Sequence, residues 1–155
     1  MNFFQAGITR PEFLRSHQPG PMDVHLNHIA ILVAALSDLL VGALWYSPLL
    51  FYKPWRDANG FTDEGIKKAL NPAKTYGLTC LFAVIISYNL AFFLGSPDMN
   101  ASQGALYGLL TGVWAALAFM IVGLFEQRRW GYMGINVGYM LVAFTLKGLI
   151  IGAWR

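Results

Sequence analysis

Asp38 and Lys147 are the residues of this chain best placed to do chemistry, because each stands as a lone charge inside a long apolar stretch. A carboxylate in apolar surroundings can hold a proton or a cation, and an amine beside it can tune or neutralise that affinity. Near the centre of a membrane helix an acidic side chain carries a penalty of roughly 2.5–3.5 kcal/mol, so it should face protein or a wet cavity. Ala30, Ala34 and Gly42 share its helix face at four-residue spacing, a small-residue stripe suited to close helix contact. Three readings of the pair follow. In the preferred one it is a structural ion pair that decides which helix packs on which. In the second, Asp38 binds a proton, a cation or a cationic solute and Lys147 modulates it. In the third, Lys147 reaches back to the interface and leaves Asp38 neutral.

Other polar and small residues fall in patterns around these two. Asn136, Tyr139, Ala143 and Lys147 recur at helical spacing and give one helix a mildly polar face. Thr79, Ser87 and Asn89 stand in another apolar stretch, where interhelical hydrogen bonding is the expected role and polar lining of a cavity the alternative. Gly104, Gly108, Gly112 and Ala116 form an extended small stripe, and Gly134 with Gly138 and Gly148 with Gly152 repeat the spacing. Such stripes let backbones approach, within one chain or between protomers, and intramolecular packing is preferred. Trp45-Tyr46-Ser47-Pro48, followed by Trp55, reads as an aromatic interfacial anchor with a helix stop at Pro48, with a binding cleft as the alternative.

Catalytic and cofactor chemistry is hard to place. His17, His25 and His28 all precede or begin the first apolar stretch, so they cannot ligate a haem from facing helices. The sequence lacks a helix-borne zinc motif, a phosphate loop and a nucleophile elbow. Cys80 is the one cysteine, which leaves no disulfide framework and no thiolate metal site. No enzyme, cofactor or metal is expected.

These side chains must be positioned by four apolar segments, about residues 28–46, 75–94, 104–125 and 133–154, each near the roughly 20 residues that span a bilayer. Apolar residues are 56% of the 155 and charged residues 12%, far below the roughly 25% of a soluble domain. The expected fold is therefore all-α: four transmembrane helices in an up-down antiparallel bundle, within one domain over residues 24–155. Backbone groups in lipid must be satisfied internally, which requires helices. In the first loop, Thr62 should cap a short amphipathic helix reaching Leu70, with Asp63 and Glu64 at its start and Lys67 and Lys68 at its end. Asn71-Pro72 reads as the cap and first position of the second span. If the first span enters near His28, Asp38 lies about 15 Å deep, and Lys147 lies about 10 Å from the end of the fourth. Side chains lean toward their helix N-terminus, so in antiparallel neighbours the two heads converge.

Loops one and three carry Lys53, Arg56, Lys67, Lys68, Lys74, Arg128 and Arg129, against Arg10, Arg15 and Arg155 on the other side. The positive-inside rule then places both loops in the cytoplasm and both termini outside. Residues 1–23 read as a polar, flexible tail, and initiation at Met22 would remove most of it. The net charge of +3 is not gathered on one amphipathic face, so nucleic acid is not an expected partner.

The segment Gly42-Ala43-Leu44-Trp45-Tyr46-Ser47-Pro48-Leu49-Leu50-Phe51 with Trp55 resembles the signature of a family of mostly bacterial membrane proteins, domain of unknown function 1761. Asn71-Pro72-Ala73-Lys74, Leu124-Phe125-Glu126 and Ile135-Asn136-Val137-Gly138-Tyr139 are also similar to it, over about residues 24–154. The resemblance implies a four-helix membrane fold and transfers no catalytic residue, and a bacterial inner membrane is the expected location. The expected function is a non-enzymatic scaffold or accessory subunit within the lipid bilayer, as a homo-oligomer or part of a larger membrane complex. The alternative is a small homo-oligomeric transporter or ion-coupled carrier with Asp38 as its titratable site.

Overall fold

The computed structural model describes residues 26–96 and 98–154. The expected tail, with Met22, His17 and His25, lies outside the described residues. These form six helices: α1 His28–Trp45, α2 Tyr52–Asn59, α3 Asp63–Ala69, α4 Pro72–Phe93, α5 Ala101–Phe125 and α6 Trp130–Ala153. Four of them, α1, α4, α5 and α6, are long and apolar enough to cross a membrane, with mean hydropathy between 1.6 and 2.1.

Local chemistry sets the boundaries. The Asn27 side chain accepts from the backbone N–H groups of Ile29 and Ala30 and starts α1. At its far end the Ser47 hydroxyl donates to the Leu44 carbonyl at 2.7 Å, and the chain turns through Ser47 and Pro48. Thr62 caps α3 by accepting from the Gly65 N–H, and the helix carries Asp63 and Glu64 first and Lys67 and Lys68 last. α4, α5 and α6 each begin three residues earlier than hydropathy indicates. For α4, Asn71 caps a helix whose first position is Pro72. For α5, Asn100 and Gln103 form a reciprocal capping box, a pairing that outweighs the polarity of its first turn. α2 is the element not anticipated. Tyr52–Asn59 is helical, and Gly60 ends it in the left-handed region (φ 69°), which a glycine adopts without steric penalty.

Packing inverts the order of a soluble protein. The buried residues of the long helices are mostly small, such as Ala30, Ala34, Ala83, Ala116 and Ala143. The exposed ones include Ile29, Leu40, Phe93, Trp114 and Phe125. An exterior this apolar suits hydrocarbon, where close packing of small residues rather than the hydrophobic effect joins helices. α6 is the central helix, packed on α5 and α1, while α1 also packs on α4, and α2 lies against α6. The contacts run antiparallel: Trp45 meets Ile135, Asp38 meets Lys147, and Ile31 meets the level of Ile151. α4 and α5, consecutive in the chain, make no more than marginal contact, and a cleft separates them.

The α5–α6 crossing is the tightest. A Cβ at Gly108 would run into the Phe144 carbonyl and lie 3.0 Å from the Gly148 Cα, so the backbones touch where a methyl would sit. Gly104 meets Gly148 and Gly152 in the same way, and Gly112 meets Phe144 and Met140. The small stripe of α5 is thus occupied within the chain.

Candidate functional site

Lys147 and Asp38 form an ion pair across the α1–α6 contact, Nζ to Oδ2 at 2.5 Å, with side chains 1% and 10% exposed. Their positions follow from the helices. Asp38 shares the α1 face of Ala30 and Ala34, both buried, and Lys147 shares the α6 face of Ala143 and Ile151. The ammonium also lies 5.2 Å from the centre of the Phe144 ring, a favourable approach of a cation to an aromatic face. Burying either charge alone would cost several kcal/mol, and the pair offsets much of that only through close geometry. One atom is left over. Asp38 Oδ1 is buried without a hydrogen-bond partner among the described residues, as is Ser87 Oγ.

A cavity of about 320 Å3 adjoins the pair in the cleft between α4 and the α5–α6 unit. Thr79, Phe82 and Ile86 of α4 form one wall, and Tyr139, Met140 and Phe144 of α6 the other. Of the polar residues singled out from sequence, Thr79 and Tyr139 therefore lie beside Asp38 and Lys147. Thr79 donates to the Thr75 carbonyl at 2.8 Å and Asn89 to the Ile85 carbonyl at 2.9 Å, both within α4. Ser87 is wholly buried away from this cavity. Asn136 is also elsewhere. It accepts from the Tyr46 hydroxyl at 2.8 Å and donates to the Tyr132 carbonyl at 2.7 Å, tying α6 to the end of α1.

The Trp-Tyr-Ser-Pro segment builds a second centre. The Trp45 indole donates to the Ile135 carbonyl at 3.0 Å and its ring lies over Gly138, where a Cβ would come within 2.9 Å. At Gly42, by contrast, a Cβ would meet the Tyr139 ring at an ordinary contact distance of 3.7 Å. Tyr46 packs against Tyr139 and Trp55, and Trp55 against Phe61. Phe51, Tyr52 and Phe61 complete this aromatic layer, and of these only Phe51 stands in the segment that carries the family resemblance.

Beside it lies a polar cluster that the sequence reading also missed. Arg56 pairs with Asp57 and with Asp63, at 2.9 and 3.1 Å, and the Tyr52 hydroxyl donates to Asp63 at 2.6 Å. Hydrogen bonds from Tyr52 and then Arg56 hold the Asp63 carboxyl below the usual carboxylate range. The same bond to Asp63 raises the Tyr52 phenol. The signal in the sequence is charge spacing alone, because no apolar run marks Tyr52–Asn59 as the helix that brings Arg56 to Asp63. Across the α5–α6 turn Arg128 pairs with Glu126 at 2.9 Å and lies over the Tyr132 ring. At the opposite end His28 Nδ1 and the Tyr88 hydroxyl stand 3.0 Å apart, joining α1 to α4. Among the described residues no three His, Cys, Asp or Glu side chains gather as a metal ion would require.

Residues 29–152, all but the two end residues of this helical unit, match the model of a family described as protein of unknown function (DUF1761). The chain belongs to that family. No curated protein and no solved structure is a match for it. The family thus covers both the ion pair and the aromatic layer and attaches no activity to either.

Proposed function

We propose that the chain is a multi-pass integral membrane protein that acts as a non-enzymatic scaffold or accessory subunit. Its four long helices would span the bilayer as an up-down bundle, and the antiparallel contacts of α1 with α4 and α6, and of α5 with α6, support that arrangement. The observation that carries the scaffold reading is the ion pair. The Lys147 ammonium and Asp38 Oδ2 are directed at each other across the α1–α6 contact. Seven basic residues lie at the end that holds α2, α3 and the α5–α6 turn, which supports placing that end in the cytoplasm of a bacterial inner membrane and both termini outside. Homo-oligomers or a larger membrane complex are the expected assemblies.

Thermal unfolding in detergent tests this reading on the wild type, Asp38→Asn, Lys147→Met and the Asp38→Leu/Lys147→Met double variant. Each single change strands a buried charge and should destabilise by about 3–5 kcal/mol, while the double replacement should return close to wild type. Wild-type stability in Asp38→Asn would sink the structural assignment. A second reading rests on Asp38 Oδ1, which has no partner beside an open cavity. It makes the protein a small ion-coupled carrier, and its mark is a double variant that folds but transports nothing.

A further inference from the structure

The cleft between α4 and the α5–α6 unit does not end at the cavity beside the ion pair. Thr79 and Phe82 are shared with an outer depression of about 560 Å3 that runs down α4 past Thr75 to Asn71 and Lys74. Thr75 and Ala69 are shared in turn with an apolar pocket of about 280 Å3 floored by Trp55, Phe61 and Ile66. From Lys74 to Ile86 the groove follows α4 for about 18 Å, against about 15 Å for the hydrocarbon depth of one leaflet. Two apolar branches therefore leave one mouth, and the longer reaches the bilayer midplane. Its inner end is closed by Asp38 and Lys147, which neutralise each other.

The mouth is basic. Lys67 and Lys68 end α3, Lys74 stands in the first turn of α4, and all three are exposed and in no ion pair among the described residues. Of the two acids in the first turn of α3, Asp63 is engaged by Arg56 and Tyr52, and Glu64 stands one turn before Lys67 and Lys68. Lys74 lines this mouth, with Lys67 and Lys68 on the neighbouring α3, and an ammonium is worth roughly 1 kcal/mol of attraction to an anionic headgroup near the membrane surface.

We propose that this cleft binds one anionic glycerophospholipid, with its phosphate at Lys67, Lys68 and Lys74 and its acyl chains in the two branches. The assignment rests on the membrane-spanning reading. A headgroup carrying two chains matches one basic mouth serving two apolar branches. The occupant replaces the helix contact that α4 and α5 do not make.

Native mass spectrometry of the full chain, purified in mild detergent and titrated with phosphatidylglycerol or with phosphatidylcholine of the same chains, reads the site directly. One phosphatidylglycerol should be retained with roughly tenfold or greater preference, and Lys67→Gln/Lys68→Gln/Lys74→Gln should reduce that preference to none. These lysines are exposed, so the triple variant should unfold at the wild-type temperature. Ala115→Trp, which fills the inner cavity from α5, should weaken retention of both lipids. Equal retention of the two lipids by the wild type overturns the proposal, as does an unchanged preference in the triple variant. A Thr79→Cys/Cys80→Ser chain that disulfide-links to a second copy also overturns it, because a protomer then covers the cleft. Alkaline carbonate washing separates the two levels: release from membranes defeats the spanning reading, whereas a retained chain without lipid preference defeats the lipid site alone.

Discussion

At the residue scale, context decides what each charge does. Lys147 is wholly buried and Asp63 is exposed, yet both are held by opposite charges. The physical difference is the medium. Lys147 has no water to return to if Asp38 is lost, whereas Asp63 does, so its pairing is felt in its titration rather than in global stability. With its carboxyl held below the usual range, Asp63 contributes to loop order above the ordinary carboxylate range. That contribution is lost as pH falls through its own, lower pKa. Tyr52→Phe removes the largest of the lowering causes and should move the Asp63 titration upward, measurable by carbon NMR of the side-chain carboxyl. A carboxyl that titrates unchanged in Tyr52→Phe would show that the 2.6 Å bond does not persist in solution.

At the element scale, the α5–α6 crossing depends on glycine where backbones touch and tolerates side chains elsewhere. Gly148→Ala puts a methyl against the Gly104 carbonyl and within 2.8 Å of the Gly108 Cα, so the helices must separate. Overpacking of this kind should destabilise by about 1–3 kcal/mol, seen as a lower unfolding temperature in detergent. Gly134→Ala, on the same helix, meets nothing within 4 Å. It should be neutral or stabilising by up to about 1 kcal/mol, since alanine favours the helix. Equal effects at the two positions would contradict the crossing. Asn100→Ala removes the capping box of α5 and should cost about 1 kcal/mol, read the same way.

At the scale of the whole molecule, helices α4, α1, α6 and α5 follow one another around an arc whose two ends do not close. The gap is where the ion pair, its cavity and the basic mouth communicate. Orientation is testable here too. Fusion of a cytoplasm-active fluorescent reporter after Lys68 should give signal, and the same fusion after Asp98 should not. The reverse pattern would place the seven basic residues outside.

Composition and hydropathy by themselves determined that the chain has four long apolar helices, because lipid leaves the backbone no other way to satisfy its polar groups. Capping chemistry at Thr62 and Asn71 was legible for the same reason of locality, since a cap acts on residues two or three positions away. α2 was not, because the Tyr52–Asn59 segment lacks an apolar run and its helix depends on packing against α6. Depth along each helix placed Asp38 and Lys147 at comparable levels, but which helices are neighbours is a property of three-dimensional packing. Only the tertiary structure decided that α6 lies between α1 and α5, that Tyr139 and Thr79 share a cavity with the pair while Ser87 and Asn136 do not, and that α4 stands away from α5. Small residues permit close contact without naming a partner, so the partner emerges from the fold.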